Sequence, residues 1–392
     1  MTANAMAAAV VAGFALVAAP AAAASPDRDA FTPVMQRVVG PVWPVKGSDG
    51  RWHVVYDVQL SNVTGLGWRV RAIRIRAARG TRRTMRAWTQ RRVADVLVSS
   101  GSGRTTRRIG PGEVAIAHLE FRARRRSAIP SALVLELSLV NVTRSRGGPP
   151  RVRQISYRTR VVQRSAAVLG PPLEGNRWLA ADGCCTAPRH VWAAQPFGGR
   201  LFNAQRFAID WERLDASGRL WTGDHKVLSN WEGYGERILA VADGTVVRHV
   251  DGLPNQVPGT LPESIPIEQA DGNAVFLRLR DGRIVFYAHM IPGSLTVKTG
   301  DRVRRGQVLG RVGNSGNSSA PHLHLHVVDR NAILGANGLP YVFDRYTITG
   351  RVASTDAFDH AELTGSPVRL GAVRTGVRRN ALSLDQVIVK WP

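Results

Sequence analysis

The sequence predicts an all-β chain, with an N-terminal β-sandwich leading into a second β-sheet body. Three observations support this. Apolar and polar residues alternate with period two over much of the chain. Gly- and Pro-containing turns punctuate the alternation at short intervals. No long helical pattern competes with it. Alternation sends successive side chains to opposite faces of a sheet, so one face can be buried and the other solvated.

The first element is the N-terminus. An apolar stretch runs over residues 6–19, followed by Pro20 and the small residues Ala21 to Ala24. That is the pattern of a secretory signal peptide, expected at 1–24. The stretch falls short of the roughly 20 residues that span a bilayer. No later segment is apolar enough to do so, and no transmembrane segment is expected in the mature chain. The expected location is secreted, periplasmic or cell-envelope associated.

Residues 25–169 form the second element. Trp52-His53-Val54-Val55-Tyr56-Asp57-Val58 and Leu133-Val134-Leu135-Glu136-Leu137 illustrate its strands. Several short strands with Gly/Pro turns predict an antiparallel sandwich of immunoglobulin-like type. From Arg69 to Arg76 arginines alternate with apolar residues, with a phase slip at Ala72-Ile73 that predicts a bulge.

The chain has 392 residues, and its net charge is +24, from 53 Lys+Arg against 29 Asp+Glu. A wholly disordered chain is excluded by the 44% hydrophobic content. Only Lys46, Lys226, Lys298 and Lys390 are lysines, so arginine carries nearly all the positive charge. Such usage also arises from a GC-rich genome. Most of the excess lies in the sandwich, as a solvated face or as a docking surface for an anionic envelope polymer. No nucleic-acid-binding module is recognisable, and nucleic acid is not an expected partner.

Around residues 170–176 the composition shifts to a turn-rich joint, and a second strand-like body follows over 170–350. Residues 351–392 read as a C-terminal tail. Two insertions stand out. The 224–235 loop, with His225, could wall a groove. The Pro-rich stretch 254–269 reads as a surface loop.

The chemistry gathers in Pro321-His322-Leu323-His324-Leu325-His326, where alternation puts three imidazoles on one strand face. Three histidines in register point to a metal. Gly313-Asn314-Ser315-Gly316 leads into this run. Together they resemble the signature of the lysostaphin/LytM-type zinc peptidases, which carry the duplicated hybrid motif and hydrolyse peptidoglycan. Gln205-Arg206-Phe207-Ala208-Ile209-Asp210, the strand pair at 238–246, Tyr287-Ala288-His289 and the hairpin at 303–310 match further parts of that pattern in order.

The resemblance implies a lysostaphin-type β-sheet core and a zinc metalloendopeptidase acting on peptidoglycan cross-links or another peptide. His324 and Asp210 would be metal ligands. His322 and His289 would be catalytic. Zinc favours three protein ligands and one open position for water. The chain departs from the pattern at Arg206, which stands where the family has its first histidine ligand. A guanidinium offers no lone pair to a metal. Two readings follow. Another residue supplies the third ligand, with His326, His190, Cys184, Cys185 and His225 as candidates. Alternatively Arg206 pairs with Asp210, and the protein is a non-catalytic envelope-binding or regulatory relative.

Overall fold

Strand Trp68–Ala77 shows how alternation becomes structure. Val70, Ile73 and Ile75 are buried, whereas Arg71 is exposed and Arg74 and Arg76 are half-buried. Its pairing with Ala132–Asn141 shifts register between Val70 and Ala72, where the sequence slips phase. In this computed structural model, residues 30–80, 83–143, 148–185 and 188–392 are described. The signal peptide expected at 1–24 lies outside them.

The N-terminal half contains two antiparallel sheets. One orders the strands Val34–Lys46, Trp52–Asn62, Val114–Ala123 and Leu97–Ser99. The other is six-stranded and centres on Trp68–Ala77 and Ala132–Asn141. Their inner faces share one core, in which Tyr56, Trp68, Phe121 and Leu137 meet. Fully burying a large apolar side chain is worth about 1.5–3 kcal/mol, so this core needs no disulfide to hold it.

The arginines of the outer face do not all end in solvent. Arg74, Arg76 and Arg153 converge on Glu136, whose side chain is 2% exposed. Three guanidiniums around one carboxylate leave excess positive charge on that face.

The second half is built on an eleven-stranded sheet. From one edge the order is Ala167–Leu169, Tyr341–Arg351, Val387–Lys390, Trp178–Ala181, Ile209–Arg213 and Leu323–Val328. It continues through Ile284–Met290, Asn273–Leu279, Gly244–Val250 and Arg302–Val303. Only the Ala167–Leu169 pairing is parallel among these described strands. The three strands Ile209–Arg213, Leu323–Val328 and Ile284–Met290 are adjacent, and this adjacency gathers the site.

Residues beyond 350 belong to this sheet. Val387–Lys390 pairs with Trp178–Ala181 on one side and Tyr341–Arg351 on the other. Helix Thr355–Thr364 is N-capped by Ser354, whose side chain accepts from the Ala357 amide, and ends at Gly365 in the left-handed region. Its Phe358 and Ala361 pack on Leu214, Leu220 and Trp231 of the loop that follows strand Ile209–Arg213. No helix among the described residues is long and apolar enough to cross a membrane.

Candidate metal centre and active-site cleft

Sheet register does the first part of the assembly. Asp210 lies opposite His324 across the Ile209–Arg213/Leu323–Val328 pair. Ala288 lies opposite His324 on the other side, which places His289 beside it. The His324 Nδ1 atom is 2.7 Å from Asp210 Oδ1, and His322 Nε2 is 3.4 Å from the same oxygen. His289 and His322 stand with ring centroids 4.7 Å apart.

The second part comes from upstream. The short helix Pro188–Val191 brings His190 over the strand, with Nε2 3.4 Å from Asp210 Oδ2. Donors held at about 2.0–2.2 Å by a tetrahedral zinc stand roughly 3.3–3.6 Å apart. The His190–Asp210 separation meets that spacing. The ligand atoms of His190, Asp210 and His324 all lie within 4.8 Å of one another, as do those of His289, His322 and His324. Two imidazoles and one carboxylate are a donor set that suits zinc.

Backbone carbonyls set the tautomers. His190 Nδ1 donates to the Asp182 carbonyl (2.9 Å), His322 Nδ1 to that of Ala320 (2.8 Å) and His289 Nδ1 to that of Ser315 (2.7 Å). A carbonyl only accepts, so each Nδ1 carries the proton and each neutral ring keeps a bare Nε2. His289 also adopts a φ of 63°, a left-handed conformation rare outside glycine. Its amide bonds to the Asp271 carbonyl and its own carbonyl to the Gly313 amide, which hold the ring in place. The Gly313–Gly316 loop is tight where it meets residue 272. Gly272 and Gly316 lie backbone to backbone, so neither tolerates a Cβ.

Electrostatics distinguish the groups. Burial alone would raise the Asp210 pKa, but His190, His322 and His324 hold it well below the ordinary carboxylate value. Burial opposes charge on His322, yet the Asp210 carboxylate lifts that ring above its usual value. Burial and the neighbouring histidines push His289 well down. Glu212, two residues along the strand from Asp210, is pushed well up by burial and by Glu362, Asp210 and Asp182. Burial takes Asp271 to about 7.

The remaining candidates separate. His326 is fully buried, stacks on Phe286 and meets His324 Nε2 through its Nδ1 at 2.9 Å. It sits behind His324 and orients that ring. His225 is a correction: its ring lies against Trp221, outside the cleft lining. Cys184 and Cys185 are a second correction. They are bonded to each other, so neither offers a free thiolate, and both line a separate cavity beside His53 and Asp385.

Arg206 is the largest correction. It does not pair with Asp210. The turn at 204–207 aims it at the sandwich, where it is wholly buried and bonds Asp57 Oδ2 from Nη2 (2.7 Å) and Nε (3.2 Å). Its Nη2 also donates to the Val39 carbonyl. Asp57 takes further bonds from His118 and Asn203. Asn203 in turn donates to the Val191 carbonyl, and Trp192 stacks on His118 at 5.3 Å. The sandwich therefore holds the two residues that follow His190, Val191 by way of Asn203 and Trp192 through His118.

The cleft has a volume of about 560 Å³. The 254–269 loop is a rim rather than a detached excursion. Its Gln256 and Gly259 amides bond the carbonyls of Asn314 and Ser319, and Leu261 lines the cleft. Sequence reasoning missed Asp182, Glu212, Asp271 and Glu362. Glu212 was within reach of period-two counting from Asp210. The others are brought in by loops and a helix that carry no local signal.

A β-sheet platform presents adjacent histidines and an aspartate over a cleft, the arrangement that the resemblance to the lysostaphin/LytM-type peptidases implies. Residues 225–334 match Peptidase family M23, a stretch that contains His289, His322 and His324 but begins after Asp210. A 62-residue segment is 39% identical to the peptidoglycan DD-endopeptidase ShyC of Vibrio cholerae; it covers 16% of this chain and 14% of that protein. Among solved structures, the lysostaphin catalytic domain from Staphylococcus simulans aligns at 18% identity over 44% of this chain and 88% of that one, with TM-score 0.21. A zinc-containing peptidase from Vibrio cholerae aligns at 13% identity over 70% and 77%, also with TM-score 0.21.

Proposed function

We propose that the protein is an exported zinc metalloendopeptidase that hydrolyses peptide cross-links of peptidoglycan, with His190, Asp210 and His324 as the metal set. The observation that carries this reading is His190. Its Nε2 stands 3.4 Å from Asp210, supplying the imidazole that Arg206 cannot. A non-catalytic role rested on Arg206 quenching Asp210, and the Asp57 pairing removes that premise.

Zinc would lower the pKa of a water towards about 7 and polarise the scissile carbonyl. The protein's own groups do the rest. Asp210 and the two ligand imidazoles bind the metal. His322, with its bare Nε2 facing the cleft, takes a proton and returns it to the leaving amine. His289 faces it across 4.7 Å as the second imidazole beside the place of the scissile carbonyl. The 254–269 rim and the helix Thr355–Thr364 wall the cleft. The placement outside the cytoplasm rests on the 1–24 segment, and the arginine face of the sandwich would hold the enzyme against an anionic envelope polymer.

Metal analysis of the purified full chain tests the reading. About one zinc per chain is expected, with release of cross-linked peptides from purified peptidoglycan. His190→Ala should weaken zinc binding by roughly a hundredfold or more, beyond the 10–100-fold typical of supporting groups. A well-folded protein that takes up no zinc at neutral pH overturns it.

A further inference from the structure

The cleft holds more carboxyl groups than a metal requires. Asp182, Glu212 and Glu362 line it beside Asp210, and Arg189 is the one arginine or lysine among its described lining residues. This occurs in a chain of net charge +24. Arg189 is already committed, to Asp182 Oδ2 at 2.8 Å and to Asp359 Oδ1 at 2.5 Å. Glu212 is 5% exposed, and its Oε2 has no hydrogen-bond partner among the described residues. Period-two geometry puts it on the same strand face as Asp210, one step further from His324. A buried carboxyl oxygen without a hydrogen-bond partner is costly. A ligand that brings N–H donors to this end of the cleft removes that cost.

We propose that the Glu212/Glu362 end of the cleft is a subsite for a primary ammonium group of the peptide substrate. The assignment deepens the zinc endopeptidase reading and rests on it. A compact ammonium fits better than a guanidinium. Glu212 offers one free oxygen rather than a bidentate pair, and Glu362 arrives from a different element, the helix Thr355–Thr364. An ammonium presents three rotatable N–H donors, whereas the planar fork of a guanidinium suits a bidentate pair. A second divalent cation fits poorly. Glu212 belongs to none of the described donor groups whose atoms lie within 4.8 Å of one another, and such ions want several oxygens at once.

The test uses the zinc-loaded full chain and a set of cross-linked peptides. Each carries a single lysine, moved one position at a time about the scissile bond, with its amine either free or acetylated. At one position the free amine should raise kcat/KM by roughly tenfold, the scale of a charge-assisted hydrogen bond. That ratio should fall to near one in Glu212→Gln and in Glu362→Gln, with zinc content unchanged. No preference at any position, or a preference that survives both substitutions, overturns the subsite. If no peptide is cleaved, the endopeptidase reading fails separately. The subsite is then read by NMR titration with Nα-acetyl-lysine methylamide against its Nε-acetylated form. Binding that needs the free amine and is lost in Glu362→Gln supports it, and equal binding of the two overturns it.

Discussion

Two aspartates, one buried and one half-buried, each bonded to a histidine, sit in different halves of this molecule. Asp57 in the sandwich meets His118 at 2.9 Å, and Asp210 in the large sheet meets His324 at 2.7 Å. The residue pairs are alike, but their surroundings are opposite. Asp57 is closed: His118 serves one oxygen, and Arg206 and Asn203 serve the other. Asp210 is open: its remaining neighbours are the His190 and His322 nitrogens at 3.4 Å, neither of them a bonded partner, and a cleft lies in front. Chemistry here follows from what is left unfilled rather than from which residues are present.

The comparison breaks most visibly at the open centre. Asp210→Ala or His324→Ala should remove zinc and lower peptide hydrolysis by about a thousandfold or more, since a catalytic metal supplies several kcal/mol to the transition state. Neither should unfold the chain. Metal analysis beside the rate, with the circular dichroism unchanged, checks this.

The closed centre should respond in the other currency. Asp57→Ala leaves the Arg206 guanidinium buried without its carboxylate, a loss of about 3–5 kcal/mol. Denaturant unfolding reads it directly. Replacing both, as Asp57→Leu with Arg206→Met, should recover most of that stability, because two apolar groups of similar size remove the desolvation cost.

Arg206→His sharpens the contrast. It restores the family's residue type at that position, but the side chain points at Asp57 and away from Asp210. Zinc affinity should not rise by more than about twofold, and stability should fall by roughly 1–3 kcal/mol as Asp57 loses partners. Isothermal titration with zinc, beside the melting curve, decides it.

The smallest effect belongs to His53, a third histidine–carboxylate group. Burial opposes its charge, but bonds to Asp49 and Glu120 raise its pKa above the ordinary value. A raised folded pKa stabilises below the unfolded value and is lost as pH climbs through the folded one. The stability gap between the native protein and His53→Gln should therefore be wider at about pH 5.5 than at about pH 8.5.

Much of this was legible in the sequence because it depends on local period. The all-β class, the slip in the Arg69 to Arg76 strand and the common face of His322, His324 and His326 all follow from counting by two. The Gly313–Gly316 loop was legible because close backbone approach leaves no substitute for glycine. His190 could be named only as one candidate among several, since a four-residue helix has no periodicity to read. The true partner of Arg206 was hidden because Asp57 lies 149 residues away. The strands at 376–381 and 387–390 were missed for a similar reason. They are short, and their alignment is imposed by distant neighbours.

The strand Val387–Lys390 has one more consequence. It flanks Trp178–Ala181, the strand that leads to Asp182 and the His190 segment, and the Gly183 amide bonds Asp385 across 202 residues of chain. A ribosome delivers those partners in order, and non-local pairing is slow to form. While residues 385–390 are still unmade, Trp178–Ala181 lacks a neighbour on one side, and the loop carrying His190 has no fixed footing. The wall of the cleft that carries His190 is thus expected to be among the last parts of the chain to mature.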